Sequence, residues 1–410
     1  MTLIANTAYN FLASILVRGS SLTVLSVSYF VLSPENYFDL TRFILLIEVF
    51  SGITNIQSKQ GLMRRKYFFY NEIILLLFVQ FLFGILIIFL TSNNNTNIIE
   101  NLNFDFHMMF SAMILSFIIN STYVFDSIAR SKNLYKEISF IQLYINVIAI
   151  IFFLITLYLS KSSAPFIFII VQRFGNFFAT FYLTQKYKII SKRSLQKNII
   201  FRYHMKYTFH TFSEGFSSAL YRPGIQLVIA SFISKEDANL LFWFLRILEG
   251  LFYQLSVNMT QVFYTNYRIS IKYLKKTLNF VFLYQMLFIV LIISLGEIFK
   301  LFNAPFEGSI SLIILAFTIT PYTNLLTSQN KLMYEQSVGI NIFISLVCKS
   351  FAIFLIYFAS LYYGFEGYIF SYTLSVFIAS AIFTKVSNQS LPLVIIINLI
   401  ILIGVYLSDV

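Results

Sequence analysis

Residues 138–159 read ISFIQLYINVIAIIFFLITLYL, twenty-two positions without a charged side chain. A helix of this length spans about 33 Å at 1.5 Å per residue, enough to cross the hydrocarbon core of a bilayer. The rest of the chain is similar, since 58% of its 410 residues are hydrophobic and 11% are charged, whereas about a quarter are charged in soluble domains. The stretch therefore predicts a membrane-spanning helix, and the composition predicts many more.

Hydrophobic blocks recur along the whole chain. They are continuous runs without apolar/polar alternation, which favours helices over barrel strands. We predict thirteen spans: Asn10–Leu32, Leu40–Gln57, Asn71–Leu90, Met108–Phe125, Ile138–Leu159, Ala164–Leu183, Tyr207–Ile233, Leu240–Phe263, Leu278–Phe299, Ile310–Thr327, Ile340–Leu361, Gly367–Thr384 and Leu391–Leu407.

Basic residues are distributed unequally between the two sides of these spans. With the N-terminus in the cytoplasm, twenty Lys and Arg fall in inner loops and only Lys161, Lys235 and Lys300 fall in outer loops. This bias predicts a cytoplasmic N-terminus. It also explains the net charge of +12 through contact with anionic lipid, so no nucleic-acid partner is expected.

The connections exclude several functions. The longest outer loop, Thr91–His107, and the longest inner loop, Thr184–Lys206, are too short for a catalytic domain. No GxxxxGK[ST] motif occurs, so no ATPase is expected, and the three histidines lack metal-site spacing. We therefore expect a non-enzyme without a cofactor or metal. The basic loop 184–206 predicts an N-terminal domain at 1–206, a C-terminal domain at 207–386 and an extra hydrophobic segment at 387–410.

Six cations fall within the predicted spans, where burying a charge costs at least about 2.5 kcal/mol. They are Arg18, Arg42, Arg173, Arg222, Arg246 and Lys349. Such residues by default mark a pathway for ions or substrate. We therefore predict that they face a shared wet or anion-binding interior.

Polar stripes indicate which helix faces avoid lipid. Glu214, Ser218, Arg222 and Gln226 recur every four residues on the seventh span, and similar stripes contain Arg18 on the first and Arg246 on the eighth. We include Gln226 among the predicted substrate-binding residues. For the Ser and Thr members alone, hydrogen bonding between helices is the favoured interpretation.

Corresponding arginines and similar flanking features indicate an internal repeat. Arg18 and Arg42 correspond to Arg222 and Arg246 at a shift of 204 residues. Each first member precedes a predicted helix interruption, at Gly19 and at 223–224. Short acidic outer turns follow, at 33–37 and 234–238. Matching interrupted helices in two halves indicate a transporter binding site.

Few carboxylates lie in the spans. Glu249 follows Arg246 by one turn, which predicts an intrahelical ion pair, and Asp126 lies beside Arg130 as a candidate interfacial cap. Glu48 and Glu214 lack an adjacent cation on their own helices. They are candidate sites for a coupling proton or sodium ion, and pairing with an arginine of another helix is an equal alternative.

The chain resembles polysaccharide flippases of the Wzx type, within the multidrug/oligosaccharidyl-lipid/polysaccharide exporter superfamily. The resemblance rests on Arg18 followed by SPENYF at 33–38, on YRPGIQLVIASFISKEDANLLFWFLRILEG at 221–250, and on the hairpin IYFASLYYGFEGYIFSYTLSV at 356–376. It extends over nearly the whole chain, although the thirteenth segment departs from the twelve or fourteen spans common in that family.

The resemblance implies an all-α polytopic membrane protein with two six-helix bundles around a central cavity. It implies alternating-access transfer of an undecaprenyl-diphosphate-linked oligosaccharide to the periplasmic leaflet of a bacterial inner membrane, for O-antigen or capsule assembly. Polysaccharide polymerase machinery would be a partner. The guanidinium groups of arginines can bind a diphosphate through paired hydrogen bonds to its oxygens.

Two alternatives remain, one within the same superfamily and one from another functional class. A multidrug exporter of the same superfamily would be expected to line its cavity with carboxylates, whereas cations dominate here. An integral polysaccharide polymerase or ligase would be expected to carry a large outer loop, and no outer loop of this chain is large.

Overall fold

A computed structural model of the chain describes residues 3–55, 68–92, 105–132, 134–191, 216–249, 278–279, 281–290, 293–294, 309–334, 338–389 and 391–408. The described residues are almost entirely helical. They form two compact units, Met1–Asn239 and Leu240–Val410. The predicted domain boundary at 206/207 lies outside the described residues and stays a prediction.

The first unit contains seven helices in its described part. They are α1 (Leu3–Val31), α2 (Pro34–Thr54), α3 (Tyr70–Ser92), α4 (Phe106–Ser131), α5 (Tyr135–Leu159), α6 (Ala164–Lys186) and α7, which comprises 216–219, a π-helical turn Leu220–Gly224 and the α-helix Ile225–Ile229. Helix α4 packs against α2, α3 and α6, and α1 packs against α5. The turn at 220–224 packs against α2, so α7 belongs to this unit.

The second unit begins within α8 (Lys235–Ile247). Its described helices continue with α9 (281–290), α10 (Ser309–Ala316), α11 (Ile319–Tyr334), α12 and α13, and α14 (Leu393–Ser408). Helices α12 and α13 form the single stretch Val338–Val386, which Gly364 interrupts with φ 58° and ψ −133°. This conformation is open mainly to glycine. The predicted hairpin between the eleventh and twelfth spans is therefore confirmed.

Four described stretches are long and apolar enough to cross a membrane. They are Phe106–Arg130, Lys136–Leu159, Ala164–Lys186 and Gly339–Val386, the last containing the break at Gly364. Helices α3, α9 and α14 contribute shorter apolar cores. Their outward faces carry large apolar side chains, among them Phe78, Phe89 and Ile400. The prediction of an all-α membrane protein is confirmed.

Several contacts place loops on a common side. Phe68–Phe69 pairs with Ile190–Ser191 as two parallel strands, β1 and β2, which joins two loops predicted to be inner. Asn239 Nδ2 donates to the Pro34 carbonyl over 2.8 Å, which joins two turns predicted to be outer. The relative sides of these loops agree with the charge pattern.

The two outer turns also share a local structure. Ser33 and Ser234 each cap the helix that follows, accepting the backbone N–H three residues on, of Asn36 over 3.4 Å and Asp237 over 3.1 Å. Such serine caps satisfy otherwise unpaired N–H groups at a helix start. The resemblance between the turns therefore has a physical cause, which is helix initiation.

The two predicted interruptions have different outcomes. At Pro223-Gly224 the helix widens into a π turn, and a Cβ on Gly224 would lie 2.9 Å from the Ala219 carbonyl oxygen. The interruption predicted at Gly19 is wrong, because α1 continues through it. A single glycine costs a helix only about 1 kcal/mol, and it retains its backbone N–H, whereas proline lacks that donor.

Candidate functional site

A buried polar junction joins α1, α5 and α6. Asn146 Oδ1 accepts from Ser20 Oγ over 2.8 Å and from Gln172 Nε2 over 2.7 Å. Gln172 Nε2 also donates to Ser21 Oγ over 3.0 Å. Because these amides satisfy one another in an apolar surrounding, they fix the three helices at one level.

Two predicted substrate-binding cations flank this junction. Arg18 lies one turn before Ser21 on α1, and Arg173 directly follows Gln172 on α6. Arg18 is exposed and Arg173 is half-buried. Because Gln172 binds Ser21, the backbones at Arg18 and Arg173 lie at similar depths along their helices, within about one helical turn of each other. The two cations belong to one region of the first unit.

Arg42 has a different environment. It is buried on α2, its Nη1 lies 3.3 Å from Asp39 Oδ1, and its guanidinium lies 5.5 Å from the centre of the Phe38 ring. Asp39 is largely exposed and offsets the buried charge from one turn away. Sequence reasoning did not identify Asp39 as a partner, although its spacing of three residues was a usable signal.

Glu48 lies beside a second polar junction. It is half-buried on α2, one turn before Ser51. Asn120 of α4 accepts from Ser51 Oγ over 2.9 Å and donates to Thr54 Oγ1 over 2.9 Å. The second candidate coupling residue, Glu214, lies outside the described residues, so its placement stays a prediction.

Arg222 and Gln226 lie on α7. Arg222 is half-buried inside the π-helical turn, and Gln226 is buried one turn later. π-helical turns widen a helix locally and occur frequently at functional sites. The predicted polar stripe thus passes through an irregular turn that packs against α2.

The second unit carries Arg246 and Lys349. Arg246 Nη1 lies 3.4 Å from Glu249 Oε2, and its guanidinium lies 4.7 Å from the centre of the Phe242 ring. The predicted Arg246–Glu249 ion pair is therefore confirmed. Lys349 is half-buried on α12, one turn after buried Ser345.

The predicted substrate-binding residues divide between the units. Five lie in 1–239 and two lie in 240–410: Arg18, Arg42, Arg173, Arg222 and Gln226, then Arg246 and Lys349. Their convergence on one cavity stays a prediction.

Asp126, expected beside Arg130, forms a 2.7 Å ion pair with it at the end of α4. Among the described residues, no three His, Cys, Asp or Glu side chains cluster as metal ligands.

Sequence reasoning missed the neutral amides that organise both units. Asn146, Gln172 and Asn120 join helices in the first unit, and Gln285, Asn324 and Asn398 do so in the second. Each stands within an otherwise apolar span. An amide in such a span needs a partner from another helix, and this signal was available from the sequence.

The fold is similar to those of solved transporters. A structure of the lipid II flippase MurJ in an inward closed conformation matches with a TM-score of 0.64 and 18% identity, covering 99% of this chain and 93% of that one. The Vibrio cholerae MATE transporter VcmN matches with a TM-score of 0.58 and 13% identity, covering 94% and 95%. A MATE structure in the straight conformation gives 0.58 and 11%, covering 93% and 95%.

No protein-family model and no curated protein sequence matches the chain. The likeness is therefore one of architecture, extending over nearly the full length of each chain compared. The chain therefore has the helical fold of these solved transporters.

Proposed function

We propose that this protein is a flippase for an anionic lipid-linked sugar. In this proposal it moves an undecaprenyl-diphosphate-linked oligosaccharide from the cytoplasmic to the periplasmic leaflet of a bacterial inner membrane by alternating access. The product would serve O-antigen or capsule assembly, with polysaccharide polymerase machinery as the next partner. The likeness in fold to a structure described as a lipid II flippase supports a lipid-linked substrate.

The observation that carries the proposal is the exposed Arg18 within the hydrophobic helix α1. Lipid cannot solvate a guanidinium well, so such a group needs water or an anion. The junction of Ser20, Asn146 and Gln172 fixes the backbone beside it. A diphosphate is an anionic partner whose oxygens can accept two parallel hydrogen bonds from one guanidinium. Arg173 adds a second positive charge at a similar depth on α6.

A multidrug exporter is the second candidate, because VcmN and other MATE transporters share the fold. Export of organic cations is favoured by carboxylates in the transport path. Glu48 is half-buried, but the other charged candidates on α1, α2 and α6 are the cations Arg18, Arg42 and Arg173. The balance of charge therefore favours an anionic substrate.

The test uses purified protein in proteoliposomes that contain undecaprenyl-diphosphate carrying a fluorescent disaccharide. An impermeant quencher reports how fast the probe crosses the bilayer. We expect Arg18→Ala to slow crossing of the probe at least tenfold. Arg18→Lys should slow it as well, because an ammonium cannot donate the two parallel hydrogen bonds that a guanidinium makes to phosphate oxygens. Lys161→Ala, which removes an exposed cation from the α5–α6 turn, is the matched control and should behave as wild type.

The rates are normalised to inserted protein, which separates transport from folding. Crossing of the probe at the wild-type rate in Arg18→Ala would refute the role of Arg18. Export of a cationic dye by the wild-type protein, without movement of the lipid probe, would favour the multidrug exporter.

A further inference from the structure

The two units carry the same buried polar positions on corresponding helices. Ser116 and Asn120 of α4 correspond to Thr320 and Asn324 of α11 at a shift of 204 residues, and Gln80 of α3 corresponds to Gln285 of α9 at a shift of 205. All six side chains are buried. The shift of 204 is the one that relates Arg18 to Arg222, so the repeat extends beyond the arginines.

The corresponding helices differ in continuity. In the first unit, α4 runs unbroken from Phe106 to Ser131. In the second, α10 ends at Ala316 and α11 begins at Ile319, so Phe317 and Thr318 form a turn between them. The turn is buried. A membrane helix broken at a buried position exposes backbone groups that need other partners.

The cause of the break is Pro321, which stands where the first unit has Phe117. Proline has no backbone N–H, and its ring clashes with the carbonyl four residues earlier. That carbonyl belongs to Phe317. Its ordinary α-helical donor is therefore missing.

A pair of amides from two other helices supplies the missing partners. Asn398 of α14 donates from Nδ2 to the Phe317 carbonyl over 2.9 Å. Gln285 of α9 accepts at Oε1 from the Thr320 backbone N–H over 3.0 Å and from its hydroxyl over 2.7 Å. Gln285 Nε2 donates to Asn398 Oδ1 over 2.7 Å.

We propose that α14 is a clasp that holds a proline hinge in the second unit. Asn398, locked by Gln285, replaces the backbone hydrogen bond that Pro321 removes, and so fixes the α10–α11 break in its present geometry. Helix α14 follows the second repeat in the chain, so it would be an element added to the repeated fold. Its role would be to hold the α10–α11 break. In conformational changes of proteins, a few residues at the ends of elements absorb the change in backbone angles, and this clasp would set how readily the α10–α11 break bends.

A double-mutant cycle on the purified, detergent-solubilised protein tests the clasp without a transport assay. Asn398→Leu, Pro321→Ala and the double variant are compared by the midpoint of thermal unfolding and by hydrogen exchange of the peptide 315–324. We expect Asn398→Leu alone to lower the midpoint by several degrees and to speed exchange at least tenfold. In the Pro321→Ala background its effect should shrink, because the N–H restored at position 321 can bond the Phe317 carbonyl.

Ser380→Ala is the matched control. It removes a buried side-chain hydrogen bond between Asn324 of α11 and Ser380 of α13, about one turn beyond Pro321 and with no contact to the Phe317 carbonyl. It should lower the midpoint equally with or without Pro321→Ala and leave exchange at 315–324 unchanged. If Asn398→Leu gives too little folded protein, Asn398→Ser is the milder variant with the same expected pattern. Equal losses in both backgrounds with unchanged exchange would overturn the proposal.

Discussion

At the scale of single residues, three cations in the described helices are each offset by a carboxylate within one turn. Arg42 lies near Asp39, Arg246 near Glu249 and Arg130 near Asp126, each at a spacing of three or four residues. Such pairs reduce the cost of placing a charge in a low-dielectric medium before any other helix is present. The exposed Arg18 differs from these three cations, which is why it carries the functional proposal.

Glu48 provides a prediction at this scale. If it carries the coupling ion, Glu48→Gln should abolish transport driven by a proton or sodium gradient, because a neutral amide cannot gain and lose the charge. Binding of the lipid probe should remain largely intact. The measurement compares gradient-driven crossing with probe binding in the same proteoliposomes.

Glu249→Gln is the matched control for Glu48→Gln, since it neutralises a half-buried carboxylate whose ion pair with Arg246 is local. Gradient dependence should survive this change. Wild-type crossing by Glu48→Gln under both a proton and a sodium gradient would contradict a coupling role for Glu48.

The charged residues of the candidate site could be predicted from the sequence, because a cation within an apolar span is conspicuous. Their partners were predictable only where they are local, as for Arg246 and Glu249. The amides Asn146 and Gln172 come from helices far apart in sequence. Their pairing depends on helix packing, which hydrophobic periodicity alone does not specify.

At the scale of helices, the two prolines marked irregular points, whereas Gly19 did not. Pro223 lies in a π turn and Pro321 lies beside a break, whereas α1 continues through Gly19. The predicted span Ile310–Thr327 is uninterrupted, whereas the structure breaks it before Pro321. The missing N–H of proline was a sufficient signal there.

The α12–α13 hairpin provides a prediction at this scale. A Cβ at Gly367 would overlap the backbone carbonyl of Ala359, and that carbonyl cannot move aside as a flexible side chain could. We expect Gly367→Ala to destabilise the protein by about 1–3 kcal/mol. The measurement is the midpoint of thermal unfolding of purified protein.

Gly339→Ala is the control for this prediction. Gly339 lies near the start of α12, and a Cβ there would meet no atom within 4 Å. Alanine should be neutral or slightly stabilising at such a helical position. An unchanged midpoint for Gly367→Ala would show that the hairpin can open without cost.

At the scale of the whole molecule, three observations agree on the relative sides of the loops. β1 pairs with β2, Asn239 binds the Pro34 carbonyl, and the Lys331 ammonium binds the Ser387 carbonyl. Each contact joins two loops that the charge pattern assigns to the same side. The alternation of these described helices between the two sides was therefore accessible from hydropathy and charge alone.

The absolute orientation is the last prediction, and it rests on twenty basic residues in one set of loops against three in the other. In a Cys348→Ala background, which removes the one native thiol, single cysteines replace Lys161 and Lys188. Both positions are exposed, and they lie at opposite ends of α6. An impermeant maleimide should label Lys161→Cys in intact spheroplasts and should label Lys188→Cys only after the membrane is opened. The reverse pattern would place the N-terminus outside, together with the basic loops. The two sites control for each other, because one helix cannot present both of its ends on the same side of a bilayer that it spans.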